Sequence, residues 1–383
     1  MNTSVVLIAA CGASYVTTFV RERYFYQHAY GTHTLDRLEV ALSVAAIASN
    51  LAGVVLALWW SAGRITSRRM AVIGVFSAAV AGALATRVPE VGLLLAILVA
   101  SSAFLWGAQR AATAGRQLIA LLGAISAPAF TLATWHWIGI DRPSSILLGY
   151  LAGGAWQALV AIMAGKGAPS RASPTPGGPS LLWPVVYMLA VQVDAVMDQA
   201  VLLTAGRGWA GAGSLAFNLL IAAVAIVVGP LGAQALAGRL DLGRWRDIVP
   251  LTAGITVVYL AVVIVALPFL IQGGDVAGEG YHRIFVFAIL YGFALPFAIV
   301  WNLRTRVAQK DSSLWRAMSK QAMFIFGVHL VALAVIASQK AWELIPLATV
   351  LGFALGSASL ARSEGADRRR RTAMDGRDTR SHG

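Results

Sequence analysis

Residues 181–205 read LLWPVVYMLAVQVDAVMDQAVLLTA and have the length and apolar character of a membrane-spanning helix. Asp194 and Asp198 lie four residues apart in this stretch, so their side chains project from one face of the helix. A charged side chain at the centre of a spanning helix costs roughly 2.5–3.5 kcal/mol on insertion scales. Two carboxyl groups on one helical turn therefore require buried partners, water or a function.

The composition of the whole chain predicts an all-α polytopic membrane protein. Of its 383 residues, 58% are hydrophobic and only 12% are charged, whereas soluble proteins have about 25% charged residues. A spanning helix needs about 20 mostly apolar residues. This rule predicts twelve spans, at residues 4–20, 38–61, 70–86, 91–109, 117–140, 144–165, 181–205, 210–236, 248–271, 281–303, 320–338 and 342–361.

The distribution of basic residues predicts the orientation of these spans. With a cytoplasmic N-terminus, the inner loops and the tail hold 22 of the 30 Lys and Arg residues. Because short cytoplasmic loops are enriched in Lys and Arg, we expect both termini to be cytoplasmic in a bacterial-type inner or plasma membrane. The net charge of +13 follows from these loops and the tail, so we expect no nucleic-acid partner, and we expect a monomer.

Two changes in composition divide the chain. Residues 166–180, rich in Pro, Gly and Ser, indicate a flexible cytoplasmic linker between a six-helix bundle at 1–165 and a second at 181–361. Residues 362–383 are charged and polar, which predicts a disordered cytoplasmic tail. Its run of four arginines at 368–371 is an expected contact for anionic lipid head groups, with a simply solvated tail as the alternative.

The two halves have the layout of a parallel repeat. A shift of 175 residues lays the first two spans over the seventh and eighth, so that Arg23 falls on Asp198 and Tyr30-Gly31 falls on Ala205-Gly206. Side-chain identity between the halves is slight. The shared layout is an apolar helix with polar residues near its outer end, a glycine turn and a long helix rich in small residues. Repeats of this kind can rock against each other around a central site.

Residues 193–237, VDAVMDQAVLLTAGRGWAGAGSLAFNLLIAAVAIVVGPLGAQALA, resemble the start of the second half in the multidrug/oligosaccharidyl-lipid/polysaccharide exporter superfamily. The matching features are an acidic helix, the turn at Gly206, Phe217-Asn218, and Pro230-Leu231 near the inner end. In the first half, Tyr30-Gly31 followed by Asp36 is similar to the pattern that links the first two helices in the lipid II and polysaccharide flippases. The resemblance implies two six-helix bundles around a central cavity, and the twelve-helix count agrees with the polysaccharide and multidrug branches.

Arg21 and Arg23, at the outer end of the first span, are the candidate anion site. A lipid-linked sugar carries a pyrophosphate, and the planar guanidinium group binds phosphate oxygens through several donors at once. The resemblance supports this site, because lipid II flippases carry basic residues in their cavity near this position. The alternative is a pair of interfacial anchors with Glu22 between them.

Asp194 and Asp198 are the candidate site for a coupling cation, either a proton or sodium. They alternatively provide the counter-charge for Arg21 or Arg23 across the cavity, or they mark a hydrated helix end. Of the two, Asp194 is favoured because it lies deeper in the membrane.

Several other polar residues are weaker candidates. Asp36, Asn50, Asn218 and Gln234 are candidates to line the cavity, although a capping role is favoured for Asp36, and the amides are alternatively interhelical hydrogen-bonding groups. His329 lies in the middle of the eleventh span and is expected to be a hydrogen-bonded packing residue rather than a proton relay.

These observations predict a transporter. We expect a flippase that moves a polyprenyl-pyrophosphate-linked saccharide, a cell-wall or polysaccharide precursor, to the outer leaflet. The alternative within the same superfamily is a cation-coupled multidrug exporter, and a membrane-embedded glycosyl- or acyltransferase is a distant third. The sequence contains no Gly-Lys-Ser/Thr phosphate loop and no Cys/His spacing typical of metal sites. We therefore expect no ATP use, no metal and no cofactor.

Overall fold

The structure is a computed structural model that describes residues 66–167, 182–236, 245–271, 279–308 and 312–358, together with separate positions between 10 and 56. All regular elements in these ranges are helices. They are α1 Ser67–Ala85, α2 Pro89–Thr113, α3 Gln117–Ile138, α4 Pro143–Ala164, α5 Leu182–Ala205, α6 Trp209–Leu236, α7 Trp245–Ile271, α8 Glu279–Gly292, α9 Leu295–Ala308, α10 Ser312–Ser338 and α11 Trp342–Ala358. The first three residues of α11 form a 3-10 turn.

These helices fall where the hydropathy predicts spans, with one difference. The span predicted at 281–303 is divided into α8 and α9, which are bent by 52° at a short break. Pro296 is the second residue of α9 and has no backbone N–H to donate to the preceding turn, which explains why the helix does not continue. In the described ranges six helices are long and apolar enough to cross a membrane, or seven if the bent pair counts as one span. The protein is therefore a multi-pass membrane protein.

Other predicted parts of the chain lie outside the described residues. They include most of the spans at 4–20 and 38–61, residues 168–181 in and beside the predicted linker, and the tail. The division into two bundles at the linker, and the inner or outer position of each loop, stay predictions.

The described helices make their main contacts in two groups. Helices α1–α4 pack in chain order as antiparallel neighbours, and α4 also packs along α2. In the second group α5 packs along α10, while α6 contacts α5, α8 and α9. The turn from α5 to α6 contains Gly206 and Gly208, both with positive φ (121° and 78°), a conformation that favours glycine. A continuous apolar core runs through both groups, from Phe25 and Trp135 to Leu202 and Tyr291.

Helices α3 and α4 approach closely because α4 has glycines at the contact. The indole of Trp135 on α3 is buried and donates a hydrogen bond to the carbonyl of Ile146 at 3.1 Å. About two turns further along α4, a Cβ added to Gly153 would lie 2.8 Å from the carbonyl oxygen of Ala127. Small residues at such crossings let helix backbones pack closely inside a membrane.

Replacement of Gly153 by Ala should destabilise the protein by about 1–3 kcal/mol, because the added methyl group meets backbone that cannot move aside. The matched control is Gly154→Ala, where the added carbon would meet only Ala100, at an ordinary distance of 3.7 Å. The measurement is the midpoint of thermal unfolding of each variant in detergent. Equal midpoints for the two variants would show that the α3–α4 contact is less tight than described.

Candidate functional site

The carboxylate of Asp198 on α5 is the centre of a buried polar cluster. Only 2% of the residue is exposed. Its Oδ2 accepts hydrogen bonds from the hydroxyls of Tyr291 and Thr349, each at 3.0 Å. Its Oδ1 lies 2.8 Å from Nε2 of His329, which is fully buried. Together with Asp194 these residues form what we call the C-terminal polar cluster.

Four helices contribute to this cluster. Asp198 comes from α5, Tyr291 from the last turn of α8, His329 from α10 and Thr349 from α11. With a proton on Nε2 of His329, three donors meet two oxygens, which fits an ionised carboxylate rather than a carboxylic acid. Because hydrogen bonds to charged groups are worth about 1.5–3 kcal/mol each, the cluster holds the four helices in one register.

Two buried polar atoms of the cluster have no hydrogen-bond partner among the described residues. They are Oδ1 of Asp194 and Nδ1 of His329, and the imidazole of His329 also interacts with the backbone of Ala348. Asp194 lies one turn from Asp198 on α5 and interacts electrostatically with both Asp198 and His329. The cluster therefore has an open acceptor position on Asp194.

A second polar cluster, in the first half, surrounds Arg21. Its Nε donates to Oε1 of Glu22 at 2.9 Å, and its guanidinium lies 4.8 Å from the centre of the Tyr150 ring. The Tyr150 hydroxyl on α4 donates to Oε2 of Glu22 at 3.0 Å. Arg23 is half-buried, and its Nε is buried with no hydrogen bond within the described part of the chain. These four residues form what we call the N-terminal arginine cluster.

The N-terminal arginine cluster is held against α3 and α4 by aromatic packing. Phe25 is completely buried and stacks on Trp135 with ring centres 5.6 Å apart. It also meets Tyr150 edge-on at 5.9 Å. The short helical segment that carries Arg21 and Arg23 is thereby fixed to the first group of helices.

The described bonds do not join the charges that the sequence predicts to face each other, so the facing of the two helix ends stays a prediction. Each of Arg21 and Asp198 has partners within its own group of helices, rather than the other as a counter-charge. Asp198, not the deeper Asp194, holds the hydrogen-bond network. His329 is a hydrogen-bonded buried residue, as expected, but its partner is the candidate carboxylate itself.

The remaining candidates give less information. Asn218 is exposed on α6. Asp36 and Asn50 lie outside the described residues, as does the side chain of Gln234. Tyr291 and Thr349 were not predicted, because a lone Tyr or Thr in an apolar span carries no periodic or motif signal.

Comparisons with known proteins show the fold. No protein-family model matches the sequence, and no curated protein matches it. Among solved structures, the chain is similar to the lipid II flippase MurJ in an inward closed conformation, with a TM-score of 0.65 and 13% identity over 94% of this chain and 87% of the flippase. It is also similar to the Vibrio cholerae MATE transporter VcmN, with a TM-score of 0.58 and 15% identity over 96% and 98% of the two chains.

A MATE transporter in complex with MaL6 gives a TM-score of 0.51 at 11% identity, over 96% of each chain. The chain thus has the fold of the multidrug/oligosaccharidyl-lipid/polysaccharide exporter superfamily over nearly its whole length, which confirms the resemblance seen in the sequence.

Replacement of Thr349 by Val should lower stability by about 1.5–3 kcal/mol, because it removes one donor to a buried carboxylate with almost no change of shape. The control is Thr256→Val on α7, whose hydroxyl bonds only the carbonyl of Thr252 in its own helix. The measurement is thermal unfolding in detergent. A loss no larger than that of the control would mean that Asp198 does not depend on Thr349.

Proposed function

We propose that this chain is an alternating-access transporter that flips a polyprenyl-pyrophosphate-linked saccharide from the inner to the outer leaflet. The observation that carries the proposal is a pair of arginines on a helical segment, in a chain whose fold is similar to that of a lipid II flippase. Substrates of this class have a diphosphate between a long apolar chain and a sugar. A site for them therefore needs cationic donors next to a membrane-embedded surface.

The geometry of the N-terminal arginine cluster gives the two arginines different roles in this proposal. Glu22 neutralises Arg21 and, with Tyr150, fixes its guanidinium in place. Arg23 has no such hydrogen bond within the described part of the chain; its Nε is buried, so the terminal nitrogens of its half-buried side chain are the proposed donors toward phosphate oxygens. In our proposal Arg23 binds the diphosphate directly, and Arg21 adds positive charge and holds the segment against α4.

The C-terminal polar cluster supplies the proposed coupling site. Its two carboxyl groups and one imidazole are ionisable groups within the spanning region, and such groups mark ion or proton pathways by default in membrane proteins. The residues of this cluster lie on α5, α8, α10 and α11, so a change of charge at Asp198 would affect the packing of all four helices.

A cation-coupled multidrug exporter is the second candidate function. The observation that favours it is the similarity to MATE transporters over 96% of this chain. An acidic cavity would suit a cationic drug. However, Asp198 is buried and accepts three hydrogen bonds from its own protein, so it offers no free carboxylate surface to a drug.

The test uses purified full-length protein in liposomes with fluorescent lipid II as the probe. Wild type should move lipid II between leaflets. Arg23→Ala should reduce the rate at subsaturating lipid by about 10- to 100-fold, the loss expected for a charged hydrogen-bonding group. Arg21→Ala should reduce the rate and also lower stability, because it leaves Glu22 buried without its partner.

The control is Arg142→Ala, an exposed arginine just before α4, which should flip lipid II like wild type. Normal flipping by the Arg21→Ala, Arg23→Ala double variant would overturn the proposed site. No flipping by wild type, together with efflux of ethidium that Asp194→Asn abolishes, would favour the drug exporter instead.

A further inference from the structure

Three helices of the first group meet in an apolar contact close to one end of that group. Met70 near the start of α1 and Trp106 near the end of α2 are buried in this contact, and Ile162 near the end of α4 packs against them. One turn beyond it, α2 carries Arg110, whose guanidinium lies 4.9 Å from the centre of the Trp106 ring. Lys166 follows the end of α4. The ends of these helices therefore form one positively charged surface.

Two neighbouring parts of the chain add cations to this surface. The start of α1 carries Arg68 and Arg69, which are both exposed. Arg116, in the turn between α2 and α3, donates through a terminal nitrogen to the carbonyl of Lys166 at 3.0 Å. This bond joins the α2–α3 turn to the end of α4. We call the surface the basic end, and its residues are Arg68, Arg69, Arg110, Arg116 and Lys166.

The charge of the basic end is not balanced by acidic residues of the same helices. Residues 66–167 contain only two acidic side chains, Glu90 in the first turn of α2 and Asp141 in the α3–α4 turn. Both lie at the opposite end of these helices, where they accompany Arg87 and Arg142. Like charges on one surface repel each other, and an anion bound among them relieves that repulsion. The basic end is therefore complementary to an anionic ligand, whereas the opposite turns are balanced.

A cavity of about 520 Å³ lies at the start of α1. The described residues that line it are Thr66, Arg68 and Arg69 and, one turn further along, Val72 and Ile73. The hydroxyl oxygen of Thr66 accepts a hydrogen bond from the amide of Arg69 at 3.3 Å, which fixes the start of the helix. The volume is within the roughly 300–1,000 Å³ of pockets that hold small ligands. The cavity thus places cationic donors next to apolar side chains.

Helix α1 continues this apolar surface along the membrane. Val72, Val75 and Phe76 are 63%, 72% and 70% exposed on a helix that is long and apolar enough to span a bilayer. Such side chains contact lipid acyl chains in a membrane. A ligand that fits both surfaces has an anionic group beside the arginines and a long apolar part along α1. An anionic phospholipid has this combination, and basic pockets between spanning helices bind such head groups.

We propose that the basic end binds an anionic phospholipid, with its phosphate on Arg68 and Arg69 and its acyl chains along α1. A guanidinium group suits this ligand, because its planar fork of donors can bind two phosphate oxygens at once. Lys166 and the other cations of the basic end raise the affinity by their charge. The site is separate from the proposed transport site at Arg23 and from the arginine run at 368–371, and its occupation requires no transport.

The test titrates the purified full-length protein in detergent with phosphatidylglycerol or phosphatidylcholine, and measures the apparent Kd by native mass spectrometry. Both lipids carry a phosphate, but only phosphatidylglycerol has a net negative charge, so wild type should bind it more tightly. The Arg69→Gln, Lys166→Gln double variant should weaken phosphatidylglycerol binding by about 10- to 30-fold, because each basic residue near an anionic lipid surface contributes about fivefold. Its affinity for phosphatidylcholine should stay close to that of wild type.

The matched control is the Arg87→Gln, Arg142→Gln double variant, which loses the same charge from exposed positions at the opposite end. It should bind phosphatidylglycerol like wild type. Equal losses in the two double variants would show that net charge alone attracts the lipid, and would overturn the site. The Arg69→Lys, Lys166→Arg variant keeps both charges and should retain most of the affinity. A loss in that variant as large as in Arg69→Gln, Lys166→Gln would also contradict the proposal.

A competition experiment distinguishes a lipid from a soluble phosphate compound. Glycerol 3-phosphate has a phosphate group but no acyl chains, so at equal concentration it should not displace phosphatidylglycerol. Displacement at equal concentration would show that α1 contributes no acyl-chain contact, and would overturn the assignment to a lipid. No step of these measurements uses lipid II, so their outcome is independent of whether the chain flips lipid II.

Discussion

The hydrogen bonds to Asp198 are the constraint on which the second half of the protein depends. In the core of a bilayer there is no water, so a polar group must find its hydrogen-bond partners within the protein. Asp198 meets this requirement with three donors from α8, α10 and α11. A carboxylate within a span is costly by itself, but here it is the contact shared by four helices. Sliding of α8, α10 or α11 would remove one of the donors to this buried carboxylate, which favours one register of these helices.

The first half meets the same requirement with an arginine. Arg21, Glu22 and Tyr150 neutralise and bond one another, and Phe25 anchors their segment to α3 and α4. In both clusters the described bonds connect elements of one group of helices. Apolar contacts connect the two groups. Among the described residues, polar bonds thus join helices within each group, and apolar side chains join the two groups.

The sequence predicts the helices better than it predicts the site. Helix positions follow from hydropathy, because the thickness of the bilayer sets the length of an apolar span. The break between α8 and α9 was missed, although Pro296 is a visible signal, because hydropathy does not register a bend. The residue types of the site were found, since Asp194, Asp198, Arg21 and Arg23 are conspicuous in an apolar chain. Their pairing was not, because Tyr291, His329 and Thr349 are brought to Asp198 by tertiary packing across 93 to 151 residues of sequence, and of these three only His329 was singled out.

The C-terminal polar cluster lies beside the break between α8 and α9. This position bears on whether the cluster only holds the helices together. A purely structural cluster would be expected where the helices are continuous, since its only task would be to hold them together. Instead, one of the three donors lies in the last turn before a 52° bend, where the amides of Phe293 and Ala294 bond three residues back. Holding Tyr291 there fixes the direction in which α8 meets α9, and releasing it removes that restraint. The bond from Tyr291 to Asp198 thus connects the buried carboxylate to a point where a spanning segment changes direction.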